Sequence, residues 1–255
     1  SISPQRGIPW GALIISEIVG RTPLVPETLP AIAQTLAAIH GLPVPSTHAR
    51  APVPSHDDPV AATLDVIEAQ AQFLKDAGLA PAALRQIGDE LSRARAFAGG
   101  WVGADIPVTL VGTDTHPGNF MIRADGTAFF VDLEKMLYGA PAIDLAHATV
   151  YTSTMWDADV AIALSNEDVA AFYAAYFAAI PAALADRVRP WCGPLRRFTW
   201  LRTTTWCAKW RVESRDGAAW SVARHDPAYI QSVRDRVADY FDPATIEAIR
   251  AGFDA

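Results

Sequence analysis

Hydrophobic side chains that recur every three to four residues predict that most of this chain is helical. Over residues 26–40, Ile32, Leu36 and Ile39 fall at this spacing, and a glycine and a proline follow directly. Apolar residues at this spacing share one helix face, and glycine and proline end helices, so we expect a helix there. The same reasoning predicts helices over residues 60–77, 81–97, 141–155, 166–179, 182–188, 194–214, 227–241 and 243–252.

Polar residues at the expected helix starts support this pattern. Ser165 and Asp168 have the spacing of a capping box, and Asp242 directly precedes a proline. Asp57 or Asp58 stands in the same position before Pro59, after a proline-rich connector over residues 42–56. These residues are therefore expected to cap helices.

The hydrophobic period changes to two in the middle of the chain, which predicts a small β unit. Residues 107–114, "PVTLVGTD", are expected to form a strand that runs into a loop. Residues 119–134, "NFMIRADGTAFFVDLE", hold two apolar runs around Asp125–Gly126, a dipeptide typical of hairpin turns. Another short strand is expected over residues 12–19, closed by Gly20. The expected fold class is α+β, mostly α, with a small central β-hairpin unit.

Composition and charge narrow the classes of function. The 255-residue chain is 51% apolar and 19% charged, which predicts a folded protein with a sizeable core. Its net charge is −7, its sequence pI is about 5.3, and it has no cluster of Lys or Arg. Proteins that bind nucleic acid usually present a basic patch, so we expect no nucleic-acid partner. An acidic chain better suits a cationic or metal-bound substrate.

The sequence also indicates a compartment. It contains no run of about 18 apolar residues and no signal-peptide pattern at its start, so neither a membrane partner nor secretion is expected. Cys192 and Cys207 lack the close spacing of metal ligands. They are expected to be buried thiols in a reducing compartment, which suggests a cytoplasmic protein.

Polar residues at fixed offsets in the predicted β unit suggest phosphate-transfer chemistry. Asn119 follows Asp114 by five positions, and Asp132 ends the second hairpin strand, which returns the chain towards Asn119. Transfer of a phosphoryl group requires a carboxylate that orients the attacking hydroxyl and a few oxygen ligands for Mg²⁺. The alternative is structural: Asp114 forms a turn, Asn119 caps a strand and Asp132 lies on the surface. Asp144, at a predicted helix start, is expected to bond backbone amides.

The segments "TDTHPGNFMI" and "FFVDLEKMLYGAPAIDLA" resemble the motifs of the aminoglycoside phosphotransferase and choline kinase family, which has a protein-kinase-like fold. The resemblance implies that Asp114 is the catalytic residue, that Asn119 and Asp132 bind Mg²⁺, and that Asp144 is structural. It also implies ATP as the phosphate donor and a small-molecule hydroxyl as the acceptor, with a cationic acceptor compatible. "LIISEIVGRTP" is similar to the family's hinge, so the backbone of Ser16, Glu17 and Ile18 is expected to meet the adenine.

The resemblance also predicts how the domains are organised. Residues 1–22 correspond to the end of an N-terminal lobe and the hinge, and residues 23–255 to a helical C-terminal catalytic lobe. A phosphate-covering glycine-rich hairpin and a strand lysine are not found before residue 12. We therefore expect an N-terminal β lobe to be absent from this chain, which is either part of a longer protein or a natural one-lobed protein.

The family pattern is broken directly before Asp114. The family's usual His-Gly pair is replaced by Gly112 and Thr113 in this chain, and this change calls the rigidity of the loop into question. A kinase-like lobe that binds a ligand or partner without transferring phosphate is therefore an alternative function.

Other polar side chains leave further alternatives open. His116 is interpreted either as a hydrogen-bond partner of the loop or as a packing residue. Glu134 would point to the same side as Asp132 if the strand continued. A metal-dependent phosphohydrolase that uses Asp114, Asp132, Glu134, His116 and His147 is a third hypothesis, although the histidines lack close ligand spacing.

Two groups of residues outside the β unit also have two interpretations. The tryptophans of "FTWLRTTTWCAKWRVE" form either an aromatic cage for a quaternary ammonium group or, the interpretation we prefer, the buried face of a helix. Acidic residues after the β unit either attract a cationic substrate or lie on a solvated face with helix caps. The members of these two groups are Trp200, Trp206 and Trp210, and Asp157, Asp159, Glu167 and Asp168.

Overall fold

Helices pack around two small antiparallel sheets in the computed structural model, which describes residues 16–56, 58–101, 105–215 and 226–253. The helices are α1 Leu29–His40, α2 Pro59–Ala71, α3 Pro81–Gly100, α4 Pro141–His147, α5 Tyr151–Thr154, α6 Asn166–Ala179, α7 Ala182–Glu213, α8 Pro227–Tyr240 and α9 Pro243–Ala251. The strands are β1 Thr109–Val111, β2 Phe120–Ile122, β3 Ala128–Phe130 and β4 Leu137–Gly139. This mostly helical α+β architecture agrees with the predicted fold class.

The two sheets position the loops of the central unit. Strands β2 and β3 pair with Phe120 opposite Phe130, and the hairpin turns at Gly126, whose φ of 85° suits glycine. Strands β1 and β4 pair with Val111 opposite Leu137. The predicted hairpin is confirmed. Because β4 pairs with β1, the chain that leaves β3 is led back beside the loop that follows β1.

The predicted helix caps are confirmed where the structure describes them. The side chain of Asp58 accepts hydrogen bonds from the first turn of α2, and Asp242 does the same for α9. Ser165 and Asp168 form a complete capping box at the start of α6. Asp57, the other candidate before α2, lies outside the described residues.

Helix α7 corrects the prediction of two separate helices. It runs without a break from Ala182 to Glu213, although Pro190 and Pro194 lie inside it and each lacks a backbone N–H donor. Buried apolar side chains continue on both sides of the prolines, and α2, α3 and α4 pack against this helix. Tertiary packing therefore outweighs the local cost of the two prolines.

Other element boundaries differ from the sequence prediction. The helix expected over residues 141–155 is divided into α4 and α5. Between them, the hydroxyl of Thr149 donates to the carbonyl of Leu145, and the carbonyl of Thr149 accepts from Arg196. Helix α2 ends at Ala71 and continues as turns, and α1 begins at Leu29 after a turn. Residues 16–19 are not a strand, and the rest of that predicted strand lies outside the described residues.

The core joins the helices to the hairpin. Helix α1 packs against α6 and β3, which places the hairpin on the helical body. Among the largest fully buried side chains are Phe120 of β2, Tyr176 of α6 and Trp200 of α7. Within the described ranges, no helix combines the length and apolar character that crossing a bilayer requires.

Candidate active site

A fully buried carboxylate holds the backbone directly before Asp114. The side chain of Asp144, in α4, accepts hydrogen bonds from the backbone N–H of Gly112 at 2.7 Å and of Thr113 at 2.8 Å. The hydroxyl of Thr115 donates to the backbone carbonyl of Asp144 at 2.8 Å. Asp144 therefore bonds backbone amides, but those of the loop after β1 and not those of its own helix. Asp114 is fixed between bonded neighbours.

The Asp144 carboxylate is itself supported by a buried chain of side chains. Its Oδ2 lies 3.1 Å from Nε2 of His40, and Nδ1 of His40 lies 2.9 Å from the hydroxyl of Tyr176. Donation from Nε2 of His40 to Asp144 and from the Tyr176 hydroxyl to Nδ1 satisfies both contacts. This chain connects α1, α4 and α6 to the loop that carries Asp114.

Backbone strain is concentrated at this loop and its neighbour. Among the described residues other than glycine, Thr113 and Asp132 alone have positive φ, both at 62°. Such strained residues cluster at functional sites, where the surrounding structure holds them in place. The hydroxyl of Thr113 donates to the carbonyl of Lys135 at 3.0 Å, which ties the two strained turns together.

The unusual Gly112–Thr113 pair is thus part of a well-supported loop. A Cβ atom at Gly112 would lie 2.6 Å from the ring of Phe130, so only glycine fits without a shift of that ring. Thr113 contributes a hydroxyl bond across the turn, and the Asp144 carboxylate holds both amides. The loop lacks the family's histidine but is held by other means.

Asp114 lies beside three cations or potential cations. Its Oδ2 accepts a hydrogen bond from Nζ of Lys135, and its Oδ1 lies 3.8 Å from Nε2 of His147. Burial opposes ionisation of Asp114, but His147, Lys135 and His116 together outweigh it and place its pKa below the usual value. The side chain is 20% exposed, so Asp114 is an ionised carboxylate that a ligand can still reach.

The two histidines near Asp114 are neutral at neutral pH. Burial lowers the pKa of His147 to about 4, although the Asp114 carboxylate opposes this shift. Burial also lowers the pKa of His116, against the carboxylates of Asp114 and Asp157. Nδ1 of each ring is buried and has no hydrogen-bond partner in the part of the chain that the structure describes. Of the two interpretations of His116, the described residues show the packing one, since no hydrogen bond joins its side chain to the loop there.

Asn119 and Asp132 face the same end of the hairpin. The side-chain amide of Asn119 donates to the backbone carbonyl of Asp114 at 2.8 Å, which leaves its side-chain oxygen free as a ligand. The backbone carbonyl of Asn119 accepts from the N–H of Val131 at 2.8 Å. The exposed Asp132 directly follows Val131, so it lies close to Asn119. The sequence-predicted trio Asp114, Asn119 and Asp132 is therefore brought together.

These oxygens fit a Mg²⁺ ion. The described ranges hold no group of three or more His, Cys, Asp or Glu side chains that would coordinate a metal ion by themselves. Mg²⁺ needs only one or two protein ligands, because water and substrate phosphates supply the rest. A metallohydrolase would need a larger protein cluster, which those ranges do not contain.

The strand does not continue to Glu134 as its predicted role required, and Lys135 was not predicted among the site residues. Strand β3 ends at Phe130, and a short 3₁₀ turn covers Leu133–Lys135, so Glu134 and Asp132 do not share a strand face. Glu134 is exposed and has no hydrogen bond in the described structure. Lys135 lies three positions after Asp132, but only the turn shows that its ammonium group reaches Asp114.

The hinge-like residues lie near the hairpin. Ser16 and Glu17 are exposed, Ile18 is half-buried, and none of them belongs to a strand. Arg21 then pairs with Ile122 through two backbone hydrogen bonds of 2.9 and 2.8 Å. The segment is thereby attached to the edge of β2, close to the end of the hairpin that is remote from Asn119.

The tryptophans and the acidic residues have mixed positions. Trp200 and Trp210 are buried, which agrees with the preferred interpretation of a buried helix face, and Trp206 is half-buried with its ring 5.6 Å from that of Trp156. Asp168 belongs to the capping box. Asp157 reaches the site, because a Cβ at Gly118 would overlap its carboxylate.

A surface groove next to the hairpin is separate from these residues. It has a volume of about 660 Å³ and lies between α1 and the hairpin. Thr35, Phe129 and Met136 line it, whereas Asp114, Asn119 and Asp132 do not. The groove therefore lies outside the candidate site, which is formed by the side chains around Asp114.

Sequence comparison identifies one family. The model of the phosphotransferase enzyme family (APH) matches residues 2–191, which include the whole β unit and the residues that surround Asp114. No curated protein matches the sequence.

Solved structures share the fold at low sequence identity. An ethanolamine kinase from Plasmodium vivax is 15% identical with a TM-score of 0.57, and the match covers 93% of this chain and 65% of the kinase. A spectinomycin phosphotransferase in complex with ADP and spectinomycin is 12% identical, with a TM-score of 0.54 and coverage of 92% and 69%. A choline/ethanolamine kinase family protein from Mesorhizobium loti is 16% identical, with a TM-score of 0.52 and coverage of 92% and 71%. This chain thus spans less than two thirds of the ethanolamine kinase.

Proposed function

The chain belongs to the phosphotransferase enzyme family, and on this premise we propose that it transfers the terminal phosphoryl group of ATP to a hydroxyl group of a small molecule. The observation that supports this proposal is the joint position of Asp114, Asn119 and Asp132 on two turns that are tied together. A carboxylate for the acceptor and two oxygen ligands for Mg²⁺ are the groups that this reaction needs.

Asp114 is the residue that acts on the acceptor. The acceptor oxygen forms a bond to the γ-phosphorus, the bond from that phosphorus to the bridging oxygen of ADP breaks, and the hydroxyl proton passes to the Asp114 carboxylate. Because its pKa lies below the usual value, Asp114 is ionised at neutral pH and ready to accept this proton. Its bonded neighbours keep it oriented before the substrate arrives.

The side-chain oxygen of Asn119 and the Asp132 carboxylate would hold Mg²⁺ in this proposal. When bound, the ion neutralises charge on the donor phosphates. The exposed position of Asp132 leaves its carboxylate oxygens available to the ion and to water. Lys135 keeps Asp114 ionised and occupies one of its oxygens.

The donor base is proposed to lie at the backbone of Ser16, Glu17 and Ile18, next to the edge of β2. The bridge between Arg21 and Ile122 supports this location, since it attaches the segment to the hairpin that carries Asn119.

The described structure has two free thiols, Cys192 and Cys207, with pKa values raised to about 12 by burial. Free thiols fit a reducing compartment, so we propose a cytoplasmic location.

The proposal is tested by replacing its two carboxylates in the full-length protein. Asp114→Asn and Asp132→Asn are expected to lower the rate of phosphorylation of small alcohols by roughly a hundredfold or more, and thermal unfolding checks that each variant is folded. Asp125→Asn, in the exposed hairpin turn, is the matched control and should retain the rate. Wild-type turnover in both site variants would refute the assignment.

The same assay separates the alternative functions. Tight binding of ATP with Mg²⁺ by the wild type, without turnover on any alcohol, would indicate the non-catalytic kinase-like lobe. Cleavage of phosphoesters without nucleotide would indicate the phosphohydrolase. Both results are contrary to what we expect.

A further inference from the structure

One oxygen of Asp114 is left for the acceptor, and it faces a defined side of the site. Lys135 binds Oδ2, so the hydroxyl group of an acceptor must approach Oδ1. Nε2 of His147 lies 3.8 Å from Oδ1. The groups around His147 therefore surround the acceptor and determine which molecules fit.

These groups form a connected wall, which we call the acceptor wall and define as His116, His147, Asp157, Arg202 and Trp206. The ring centroids of His116 and His147 are 6.4 Å apart. The Asp157 carboxylate and the His116 ring both abut Gly118, where a Cβ would come within 2.9 Å of that ring. The next link is through Trp156, the neighbour of Asp157, whose ring lies 5.6 Å from that of Trp206.

Arg202 closes this wall. It lies one helical turn before Trp206 in α7, so the two side chains share a helix face. Helix α7 packs against α4, which carries Asp144 and His147. The carboxylates of Asp114 and Asp144 and the ring of His147 are the electrostatic neighbours of its guanidinium.

The Arg202 guanidinium makes neither an ion pair nor a side-chain hydrogen bond within the described residues, although the carboxylates of Asp114 and Asp144 are its electrostatic neighbours. No carboxylate of the described ranges lies within 4.0 Å of its guanidinium, whereas Arg250 binds Glu90 at 3.0 Å and Arg196 bonds the hydroxyl and carbonyl of Thr149. Arg202 is half-buried, and burial lowers its pKa. The carboxylates of Asp114 and Asp144 offset part of the cost of burying this charge, and the hydrogen-bond donors of the guanidinium are left for a ligand.

The histidines of the wall also lack partners. Nδ1 of His116 and Nδ1 of His147 are buried and make no hydrogen bond within the described residues. Buried polar atoms in native proteins are nearly always bonded, so these two atoms indicate that a polar group or water belongs beside them. The acceptor side is thus a polar site whose guanidinium forms no ion pair with the residues that the structure describes.

We propose that the acceptor is an alcohol that also carries a carboxylate group, and that this carboxylate pairs with Arg202 while the hydroxyl lies at Asp114. The inference rests on the proposed phosphotransfer and names its acceptor class. The planar guanidinium can bind a carboxylate through two parallel hydrogen bonds, which orients the acceptor as well as binding it. Asp157, at the opposite part of the wall, keeps acceptors with an additional ammonium group compatible.

Matched acceptors test this inference in the full-length protein with ATP and Mg²⁺. Glycerate is compared with ethylene glycol, and serine with ethanolamine, since in each pair a carboxylate group replaces one hydrogen atom. We expect kcat/KM to be at least about tenfold higher for the carboxylate member of a pair. Arg202→Gln should remove this preference mainly through KM, and Arg202→Lys should restore part of it.

Controls separate recognition from folding. Arg187→Gln, which removes an exposed charge from the same helix, should leave the preference unchanged, and thermal unfolding checks that each variant is folded. If Arg202→Gln does not fold, the partial loss of preference in Arg202→Lys carries the test.

Three results would overturn the inference. The first is a wild type that favours the neutral or amine member of each pair. The second is a folded Arg202 variant that loses activity equally on both members, which would mean a purely structural role. In the third, ATP is hydrolysed but no carboxylate acceptor is phosphorylated, and the phosphotransferase proposal survives. If ATP with Mg²⁺ neither binds nor reacts, that proposal fails as well.

Discussion

Asp114 and Asp132 each follow a short β-strand, and each is close to a strained backbone position: Asp114 comes directly after Thr113, and Asp132 itself has a positive φ. The structure nevertheless fixes the two carboxylates differently. The loop of Asp114 is held from inside the protein, by the buried Asp144 and the hydrogen bonds of His40 and Tyr176 behind it. Asp132 lies on an exposed turn, and its side chain does not cap the 3₁₀ turn that follows. The protein core therefore positions Asp114, whereas the Asp132 carboxylate remains available to a ligand.

This difference matches the tasks that we propose for the two residues. A base must have its orientation before the acceptor arrives, because misplacement by about 1 Å lowers the rate by roughly a hundredfold. A metal ligand that shares its ion with phosphate and water is fixed by the ion itself. The contrast predicts that changes on the inner side affect stability first, and that changes on the outer side affect metal dependence.

The largest effect is expected for Asp144→Ala. The substitution removes the acceptor of two backbone amides and of His40, and leaves all three donors buried. The free energy of unfolding should fall by about 4 kcal/mol, as measured by urea denaturation. Asp125→Ala, at the exposed turn, is the control and should change it little. A loss below about 1 kcal/mol for Asp144→Ala would contradict the role of this carboxylate.

A somewhat smaller effect is expected for His40→Phe. The ring then donates nothing to Asp144, and the Tyr176 hydroxyl loses its partner, so stability should fall by about 3 kcal/mol. His48→Gln, at an exposed position, should have no effect. Combining His40→Phe with Tyr176→Phe should cost less than the sum of the single changes, since the residues form one network. Additive losses would show that they act independently.

Acidification should destabilise the protein through His147. Its pKa is about 4 in the folded protein against 6.5 in the unfolded chain, so below pH 6.5 the unfolded chain binds a proton that the folded protein excludes. Stability is full above that pH and should fall by about 2 kcal/mol between about pH 7.5 and 5. The carboxyl of Asp114, with its lowered pKa, adds a loss in the same direction only at lower pH.

The variant His147→Gln tests the origin of this acid sensitivity. Unfolding measured at several pH values should show a shallower loss between pH 6.5 and 4 than in the wild type. His48→Gln serves as the matched control, and its profile should follow the wild type. An unchanged slope in His147→Gln would assign the sensitivity to other groups.

The smallest effect on stability is expected for Asp132→Asn. The side chain is exposed, and asparagine tolerates the positive φ, so unfolding should change by no more than about 0.5 kcal/mol. The Mg²⁺ concentration needed for half-maximal rate should nevertheless rise strongly, which a metal titration of the activity measures. A variant with unaltered metal dependence, or one as unstable as Asp144→Ala, would remove the contrast between the two sides.

Local sequence signals predicted much of this fold and part of the site. The hairpin at Asp125–Gly126, the caps at Asp58, Ser165 and Asp242, and most helices follow from short-range patterns. Asp114, Asn119 and Asp132 could be grouped because one hairpin connects them. These features depend on residues that are close in sequence, where periodicity and turn chemistry are informative.

What the sequence did not reveal depends on long-range packing. The bond between His40 and Asp144 joins residues 104 positions apart, and no local pattern predicts it. The continuity of α7 through Pro190 depends on the helices packed against it. Lys135 was overlooked because the chain after β3 forms a turn in place of the expected strand, and only the turn directs its side chain to Asp114.

The two backbone bonds between Arg21 and Ile122 have a mechanical consequence. Force applied to the chain at residue 16 reaches this pair before it reaches α1, so the hairpin carries the load ahead of the helical body. Asn119 lies three positions before Ile122, directly before the first residue of β2. Tension on this segment would therefore reach a proposed metal ligand first, and it would pass to Asp114 only through the side-chain amide of Asn119, against the hold of Asp144 on the preceding loop.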